Sequence, residues 1–221
     1  MTFVLTYLYL HGFASSPQST KAQHLRSQFQ SLGIDLHIPD LNQGDFTALT
    51  LTRQIQQARK LMEPWDQVVL IGSSFGGLTS AWLSQQPDLT PKITRLILLA
   101  PAFCFLDHWL PKLGADQLKH WQTAGMLQVY HYSHETYLPL SYNFITDAQQ
   151  YADDQLQTPI PTLILHGRQD DIIPIQASRN YSATRSWVQL IELESDHSLG
   201  NVQAEIWQAV KEFSGISTMN C

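Results

Sequence analysis

The most informative part of the chain is residues 68–76, which read Val68-Val69-Leu70-Ile71-Gly72-Ser73-Ser74-Phe75-Gly76. The first four are apolar and mostly β-branched, which predicts a short buried strand. The next five match the pattern Gly-x-Ser-x-Gly around Ser74, and a helix is expected from Ser74 to about Gln86, before Pro87. In this strand–turn–helix arrangement the glycines permit a sharp turn that raises the serine hydroxyl above the sheet.

Apolar runs and amphipathic segments alternate along most of the chain on both sides of this motif. Strands are predicted at residues 3–10, 34–38, 68–71, 96–100, 162–165 and 188–193. Helices are predicted from the Ser15-Ser16-Pro17 start to about Leu32, at about 46–62 and 74–86, near Ile175, and at about 201–213. These alternating elements predict an α/β fold with a mostly parallel six-stranded sheet and helices on both faces. Such sheets bind ligands outside the carboxyl ends of their strands.

The length and composition favour a single domain over residues 1–221. Hydrophobic residues make up 43% of the chain and charged residues 14%, which is enough to bury a sizeable core. Residues 103–157 depart from the alternation and are rich in aromatic side chains such as Trp109 and Trp121. We predict a cap-like insertion there, because long insertions in compact domains tend to be functional. The alternative is a helical crossover whose aromatic residues form a small core of their own.

The charge, the apolar runs and the cysteines argue against several classes of protein. The net charge is −6, from 13 basic and 19 acidic residues, and no basic run occurs, which argues against nucleic acid or an anionic membrane as partner. No apolar run is long enough to cross a bilayer, and the apolar start of the chain lacks the features of a signal peptide. Cys104 and Cys221 form no CxxC pair, which suits a reducing compartment. We expect a soluble, cytoplasmic protein, with its oligomeric state left open.

Ser74 is the candidate nucleophile, since the turn leaves it at a helix N-terminus that favours developing negative charge. The alternative is a serine that only caps the helix. The backbone N–H of Phe75 is predicted to be one oxyanion donor, and that of Phe13, after the first strand, the second. Gly12 would let the chain approach the substrate closely, and His11 is expected to hold this loop through hydrogen bonds rather than act as the base.

The candidate acid and base follow the last two predicted strands. Asp170 is the preferred acid, with the adjacent Asp171 as the alternative, or a simple Asp-Asp turn before the next helix. His197 is the only histidine after Asp170 in the sequence, and it completes the order serine, aspartate, histidine. Asp196 could also orient His197, but neighbouring loop residues point apart, so Asp170 is preferred.

No cofactor or metal is predicted. His131 and His134 have HxxH spacing, with His108 and His120 upstream, but no Cys or Glu completes a known ligand pattern such as H-E-x-x-H. No glycine-rich loop matches a nucleotide-binding fingerprint either.

Several of these motifs together resemble those of the α/β-hydrolase superfamily. They are Tyr9-Leu10-His11-Gly12-Phe13, Ser15-Ser16-Pro17, Gly72-Ser73-Ser74-Phe75-Gly76-Gly77, His166-Gly167-Arg168-Gln169-Asp170 and Asp196-His197. More narrowly the chain resembles the small bacterial YqiA-type esterases, and its stretch from Leu10 to Lys21 is the most specific piece. The resemblance is good over residues 5–100 and 159–213 and poor over 103–157. It implies carboxylesterase activity, often on short acyl chains, without a cofactor.

The residues and the resemblance together predict a serine esterase that cleaves a carboxylic ester of a small molecule through an acyl-enzyme. A thioesterase or a C–C bond hydrolase would use the same three side chains, so both stay open. A non-catalytic ligand receptor on the same scaffold is the alternative from another class.

Overall fold

The computed structural model describes residues 4–216, and strands and helices alternate along them except in residues 105–148. The strands are β1 (Leu5–Leu10), β2 (Leu36–His37), β3 (Gln67–Ser73), β4 (Ile93–Leu99), β5 (Met126–His131), β6 (Thr136–Ser141), β7 (Thr162–Gly167) and β8 (Val188–Leu193). The helices are α1 (Thr20–Gln30), α2 (Leu51–Met62), α3 (Phe75–Leu83), α4 (Phe105–Leu113), α5 (Ala115–Ala124), α6 (Asn143–Ala148), α7 (Gln176–Ala183) and α8 (Gln203–Ser214). Phe3, the predicted start of the first strand, and Cys221 lie outside the described residues.

Six strands form one sheet in the order β2-β1-β3-β4-β7-β8, and every neighbouring pair is parallel. The prediction of a six-stranded parallel sheet with helices around it is therefore confirmed. β3 lies between β1 and β4, so the strand that leads into the serine motif is in the interior of the sheet. Because the strands are parallel, the loops that follow β1, β3, β7 and β8 all leave from the same edge.

Both faces of the sheet are buried, because successive side chains of each strand point to opposite sides. Leu70 of β3 belongs to a core that includes side chains of α2 and α3. Val69 and Ile71 belong to a second core, with side chains of α1 and α8. This is why β3 carries an unbroken apolar run rather than an alternating one.

Residues 103–157 contain the elements that the sequence did not predict individually. α4 and α5 lead into an antiparallel hairpin of β5 and β6, and α6 follows. The indole Nε1–H of Trp121 on α5 donates a 3.0 Å hydrogen bond to the carbonyl oxygen of Leu140, which ties the hairpin to the helix. The aromatic side chains of this segment therefore include some that pack within the segment and, as described below, some that reach the sheet edge.

Two predicted helices begin later in the structure than expected. The first was predicted to start at Ser15-Ser16-Pro17 but begins at Thr20, because the Ser16 hydroxyl accepts a hydrogen bond from Gln18 N–H and holds a turn there. The second was predicted from Phe46 but begins after Thr50, whose hydroxyl caps the helix by accepting a 3.0 Å hydrogen bond from Arg53 N–H.

The longest helices of residues 4–216 are α2 and α8, with 12 residues each. A helix needs about 20 apolar residues to cross a bilayer. Within the described residues, none has the length and apolarity for such a crossing.

Candidate active site

Ser74 forms the sharp turn between β3 and α3. Its φ of +52° and ψ of −117° are strained values for a residue with a side chain. The turn is held from two sides: Ser74 N–H donates to the carbonyl oxygen of Leu99 at 2.8 Å, and its own carbonyl oxygen accepts from Ala102 N–H at 3.1 Å. The strained backbone is therefore fixed by β4 and the loop after it, which orients the serine hydroxyl.

The two motif glycines leave no room for a side chain. A Cβ atom on Gly76 would lie 2.1 Å from the carbonyl oxygen of Leu10, and one on Gly72 would lie 2.3 Å from the carbonyl oxygen of Gly76. These close approaches involve backbone atoms, which cannot rotate away. The glycines are therefore required for β1, β3 and α3 to pack together.

We expect Gly76→Ala to destabilise the protein by more than about 4 kcal/mol, or to prevent folding, because the new methyl group would overlap the backbone of β1. The matched control is Gly33→Ala, since Gly33 has a φ of +70° but no atom within 4 Å of an added Cβ. That control should cost only about 1 kcal/mol. Urea unfolding followed by circular dichroism measures both, and equal losses in the two variants would contradict the steric explanation.

A line of hydrogen bonds joins three of the predicted site residues. His197 Nε2 lies 2.9 Å from Ser74 Oγ, and His197 Nδ1 lies 2.7 Å from Asp170 Oδ2. Asp170 follows β7 and is fully buried at its side chain, whereas the His197 side chain, in the loop after β8, is 21% exposed. The structure thus brings together three residues that lie far apart in the sequence.

The two alternative acids lie elsewhere. The Asp196 carboxylate accepts hydrogen bonds from the N–H and hydroxyl of Ser198, so it caps its own loop. Asp171 is exposed, and its backbone oxygen accepts a hydrogen bond from the Lys112 ammonium of α4. Within residues 4–216, Asp170 provides the one carboxylate that is hydrogen-bonded to His197.

The carboxylate of Asp170 is strongly biased towards its ionised form. Burial raises the pKa of Asp170, but hydrogen bonds from His166, His197 and the backbone N–H of Ile173 outweigh it and hold the pKa well below its usual range. Burial also lowers the pKa of nearby Lys21 to about 8, while the charges of Asp170 and Asp196 act in the opposite direction. The site therefore holds an anion beside the imidazole of His197.

The loop after β1 lies against the serine. A Cβ atom on Gly12 would be 3.2 Å from Ser74 Cβ, so this glycine keeps the two backbones close. His11 is fully buried, and its Nε2 accepts a 2.9 Å hydrogen bond from Leu41 N–H. Its Nδ1 therefore carries the proton and donates to the carbonyl oxygen of Gly12 at 2.9 Å. These two hydrogen bonds connect the loop after β1 to the backbone at Leu41.

Phe13 and Phe75 directly follow Gly12 and Ser74, and their rings pack edge to face with centroids 6.3 Å apart. Phe75 is the first residue of α3, so its N–H has no partner within the helix. The two predicted oxyanion donors are thus on adjoining backbone segments beside Ser74.

Aromatic side chains of residues 103–157 reach this loop. The ring centroids of Phe105, Trp109 and Phe144 lie 6.0, 5.4 and 5.2 Å from that of Phe13. Lys112 also contacts the acid loop, through the carbonyl oxygens of Asp171 and Ile172. Residues 103–157 therefore contact both the loop after β1 and the loop that carries Asp170.

A cavity of about 440 Å³ lies beside the start of α4. Leu51, Leu78 and Phe105 contribute apolar walls, and Asp153, whose pKa burial raises to about 6, lies at its side. Ser74, Asp170 and His197 are not among the residues around this cavity, so the cavity is separate from the hydrogen bonds that join those three.

The rings of His131 and His134 are tilted by 50° relative to each other, with their centroids 4.5 Å apart. In the described part of the chain, no three His, Cys, Asp or Glu side chains are placed to hold one metal ion.

One residue close to the site was missed by the sequence analysis. His166, the last residue but one of β7, is fully buried, and its Nε2 lies 3.0 Å from Asp170 Oδ2. In the sequence, His166 stood out only as the first residue of the motif His166-Gly167-Arg168-Gln169-Asp170. Its position at the carboxyl end of a strand, four residues before the acid, is the signal that could have identified it.

Comparison with known proteins agrees with this architecture. The model of the family described as Uncharacterised protein family (UPF0227) matches residues 6–214. Mouse alpha/beta hydrolase domain-containing protein 10 superimposes with a TM-score of 0.75 at 21% identity, over 96% of this chain and 90% of that one. Est1E from Butyrivibrio proteoclasticus, with ferulic acid bound, gives 0.77 at 19% identity, over 96% and 88%. Monoacylglycerol lipase from Paleococcus ferrophilus gives 0.74 at 16% identity, over 94% and 92%. These similarities show the α/β-hydrolase fold.

Proposed function

The chain belongs to the family described as Uncharacterised protein family (UPF0227), within the α/β-hydrolase superfamily, and we propose that it is a serine hydrolase that cleaves carboxylic esters through an acyl-enzyme. The observation that carries the proposal is the line of hydrogen bonds from Asp170 through His197 to Ser74, at 2.7 and 2.9 Å. These distances are within the range that proton transfer between a serine and its base requires.

In the proposed acylation step, Ser74 Oγ attacks the carbonyl carbon of the ester while His197 Nε2 takes its proton. Asp170 holds the opposite nitrogen of the ring, so Nε2 is free to accept, and its charge stabilises the imidazolium that forms. The imidazolium then donates its proton to the alkoxide oxygen as the C–O bond breaks. The alcohol leaves, and the acyl group stays on Ser74.

In the proposed deacylation step, water attacks the acyl carbon and gives its proton to His197. Ser74 is released with its proton restored, and the carboxylic acid leaves. The negative oxygen of both tetrahedral intermediates would be held by the N–H groups of Phe75 and Phe13. Loss of one such donor typically costs about 2.7–4 kcal/mol of transition-state stabilisation.

We also propose that residues 103–157 form a cap that bounds the substrate pocket. The contacts of Phe105, Trp109 and Phe144 with Phe13 support this role, because they place apolar side chains beside an oxyanion donor. Apolar walls there suit a small-molecule ester with an apolar acyl group. The mechanism uses no cofactor.

The experiment that tests the function is an assay of the purified protein with p-nitrophenyl esters from acetyl to dodecanoyl. A fluorophosphonate probe and mass spectrometry of the labelled peptide are run in parallel. We expect ester cleavage, one label on Ser74, and loss of activity in proportion to labelling. Failure of both cleavage and labelling would reject the hydrolase and favour a ligand receptor. If Ser74 is labelled but acyl thioesters are cleaved far faster than oxygen esters, the protein is a thioesterase instead.

A further inference from the structure

The Asp170 carboxylate is held by two imidazole rings rather than one. Its Oδ2 atom lies 2.7 Å from His197 Nδ1 and 3.0 Å from His166 Nε2. Its Oδ1 atom accepts hydrogen bonds from the backbone N–H groups of Ile172 and Ile173, at 2.9 and 2.8 Å. Each carboxylate oxygen of Asp170 therefore has two hydrogen-bond donors.

The surroundings of His166 determine which of its nitrogens carries the proton. His166 Nε2 lies between two acceptors, the Asp170 carboxylate and the carbonyl oxygen of Ile173 at 2.9 Å, so Nε2 must carry a hydrogen. Nδ1 lies 2.7 Å from the hydroxyl of Ser178, which can donate to it. A neutral ring with its proton on Nε2 thus satisfies both nitrogens. His166 and Ser178 are both fully buried, so water does not compete for these bonds.

We infer that His166 is a positioning residue for the proposed reaction: its N–H to Asp170 Oδ2 orients the carboxylate and limits how strongly that oxygen attracts the proton on His197. The two rings share one acceptor atom, so the charge that His166 binds is no longer fully available to His197. Without the His166 donor, Asp170 would stabilise the imidazolium of His197 more strongly. His197 would then stay protonated to higher pH, and over that added pH range it could not act as a base.

Charged groups on neighbouring elements also act on this network. Lys21 on α1 and Asp196 in the loop of His197 both interact with Asp170 through space. Lys112 of α4 binds backbone oxygens of the acid loop. None of them is altered by a substitution at His166, so a change in pH dependence can be assigned to the His166–Asp170 bond.

The test compares His166→Leu, His166→Asn and His166→Gln with the wild type in the pH profile of kcat/KM. Leucine removes the donor. The asparagine amide reaches the place of Nδ1 only, whereas the glutamine amide reaches that of Nε2 and restores an N–H to Asp170. In the Leu and Asn variants we expect the pH at which kcat/KM falls on the acid side of the profile (the acid limb) to rise by roughly half to one unit. We also expect kcat to be about tenfold lower, with KM nearly unchanged. The Gln variant should return the limb towards the wild-type position. If leucine prevents folding, the Asn and Gln pair decides the same question.

This inference rests on the proposed function, so a second measurement needs no turnover. NMR titration of ¹⁵N-histidine-labelled protein follows the ring of His197 directly, and its midpoint should be higher in the Leu and Asn variants than in the wild type and the Gln variant. If the wild type cleaves no ester, the proposed function fails, while this midpoint still tests His166. If the midpoint and the acid limb stay the same in all variants, His166 only fills space and the inference is wrong.

Discussion

Ser74→Ala is expected to lower kcat for ester hydrolysis on the order of 10⁵–10⁶-fold. The variant removes the atom that would form the bond to the acyl carbon, and no other hydroxyl is hydrogen-bonded to His197 in the described residues. His197→Ala should be nearly as damaging. The double variant should be no worse than either single one, because the two groups act in the same step.

The neighbouring Ser73 offers a matched control. Ser73→Ala changes the residue before the turn, but Ser73 ends β3 and has no part in the hydrogen-bonded line, so activity should stay within about tenfold of the wild type. Initial rates with p-nitrophenyl esters and thermal melts of all variants make the comparison. A folded Ser74→Ala variant that keeps most of its activity would show that another residue forms the acyl-enzyme, or that none does.

Asp170→Asn is expected to lower kcat about 10⁴-fold with little change in KM. The amide keeps the shape of the carboxylate, but it carries no charge for the imidazolium and can favour the ring tautomer that is unable to accept the proton of Ser74. The control is Asp171→Asn, a change of the same chemistry at the adjacent exposed residue, and it should alter kcat by no more than about twofold. The sequence alone left these two residues as alternatives, so the pair of variants also decides between them.

The stability difference between the wild type and Asp170→Asn is expected to depend on pH, with a sign that follows from the lowered pKa of Asp170. The unfolded chain binds a proton at this carboxyl near pH 3.9, but the folded protein binds it only at lower pH. The ionised form therefore stabilises the fold above about pH 4, and this contribution is lost as the pH falls through the pKa of the folded state. Urea unfolding should show the stability difference between the wild type and Asp170→Asn shrinking in that range. A difference that stays constant would contradict the hydrogen-bond explanation for the lowered pKa.

The sheet could be predicted because its central strands β1, β3, β4 and β7 are largely buried and contain apolar runs. The β5–β6 hairpin could not, for two reasons. Its outer face is exposed, and the turn at residues 132–135 contains no glycine, asparagine or proline. Glu135 has a φ of +50° there, a conformation for which the sequence gives no warning. The sequence also placed the start of the second helix several residues too early, since Thr50 is the better cap.

The candidate site was predictable where a motif or chain order identified a residue. Ser74 follows from the glycine spacing, and His197 from its position after the last strand. The position of His166, at the end of β7 and four residues before the acid, hints at a contact with Asp170, but which atoms meet depends on where the two side chains point. The contacts of Phe105 and Phe144 with Phe13 depend on how residues 103–157 fold against the loop after β1, which is determined by long-range packing.

The positions of the three side chains after β3, β7 and β8 also have a consequence for how the protein is made. Ser74 is synthesised 123 residues before His197, so the serine exists for much of synthesis without the histidine that would act as its base. A serine hydroxyl without a base is a weak nucleophile. Only when β8 joins the edge of the sheet does His197 come within 2.9 Å of Ser74. In the proposed mechanism Ser74 of the nascent chain is therefore a weak nucleophile, and it becomes reactive only after the last strand is in place.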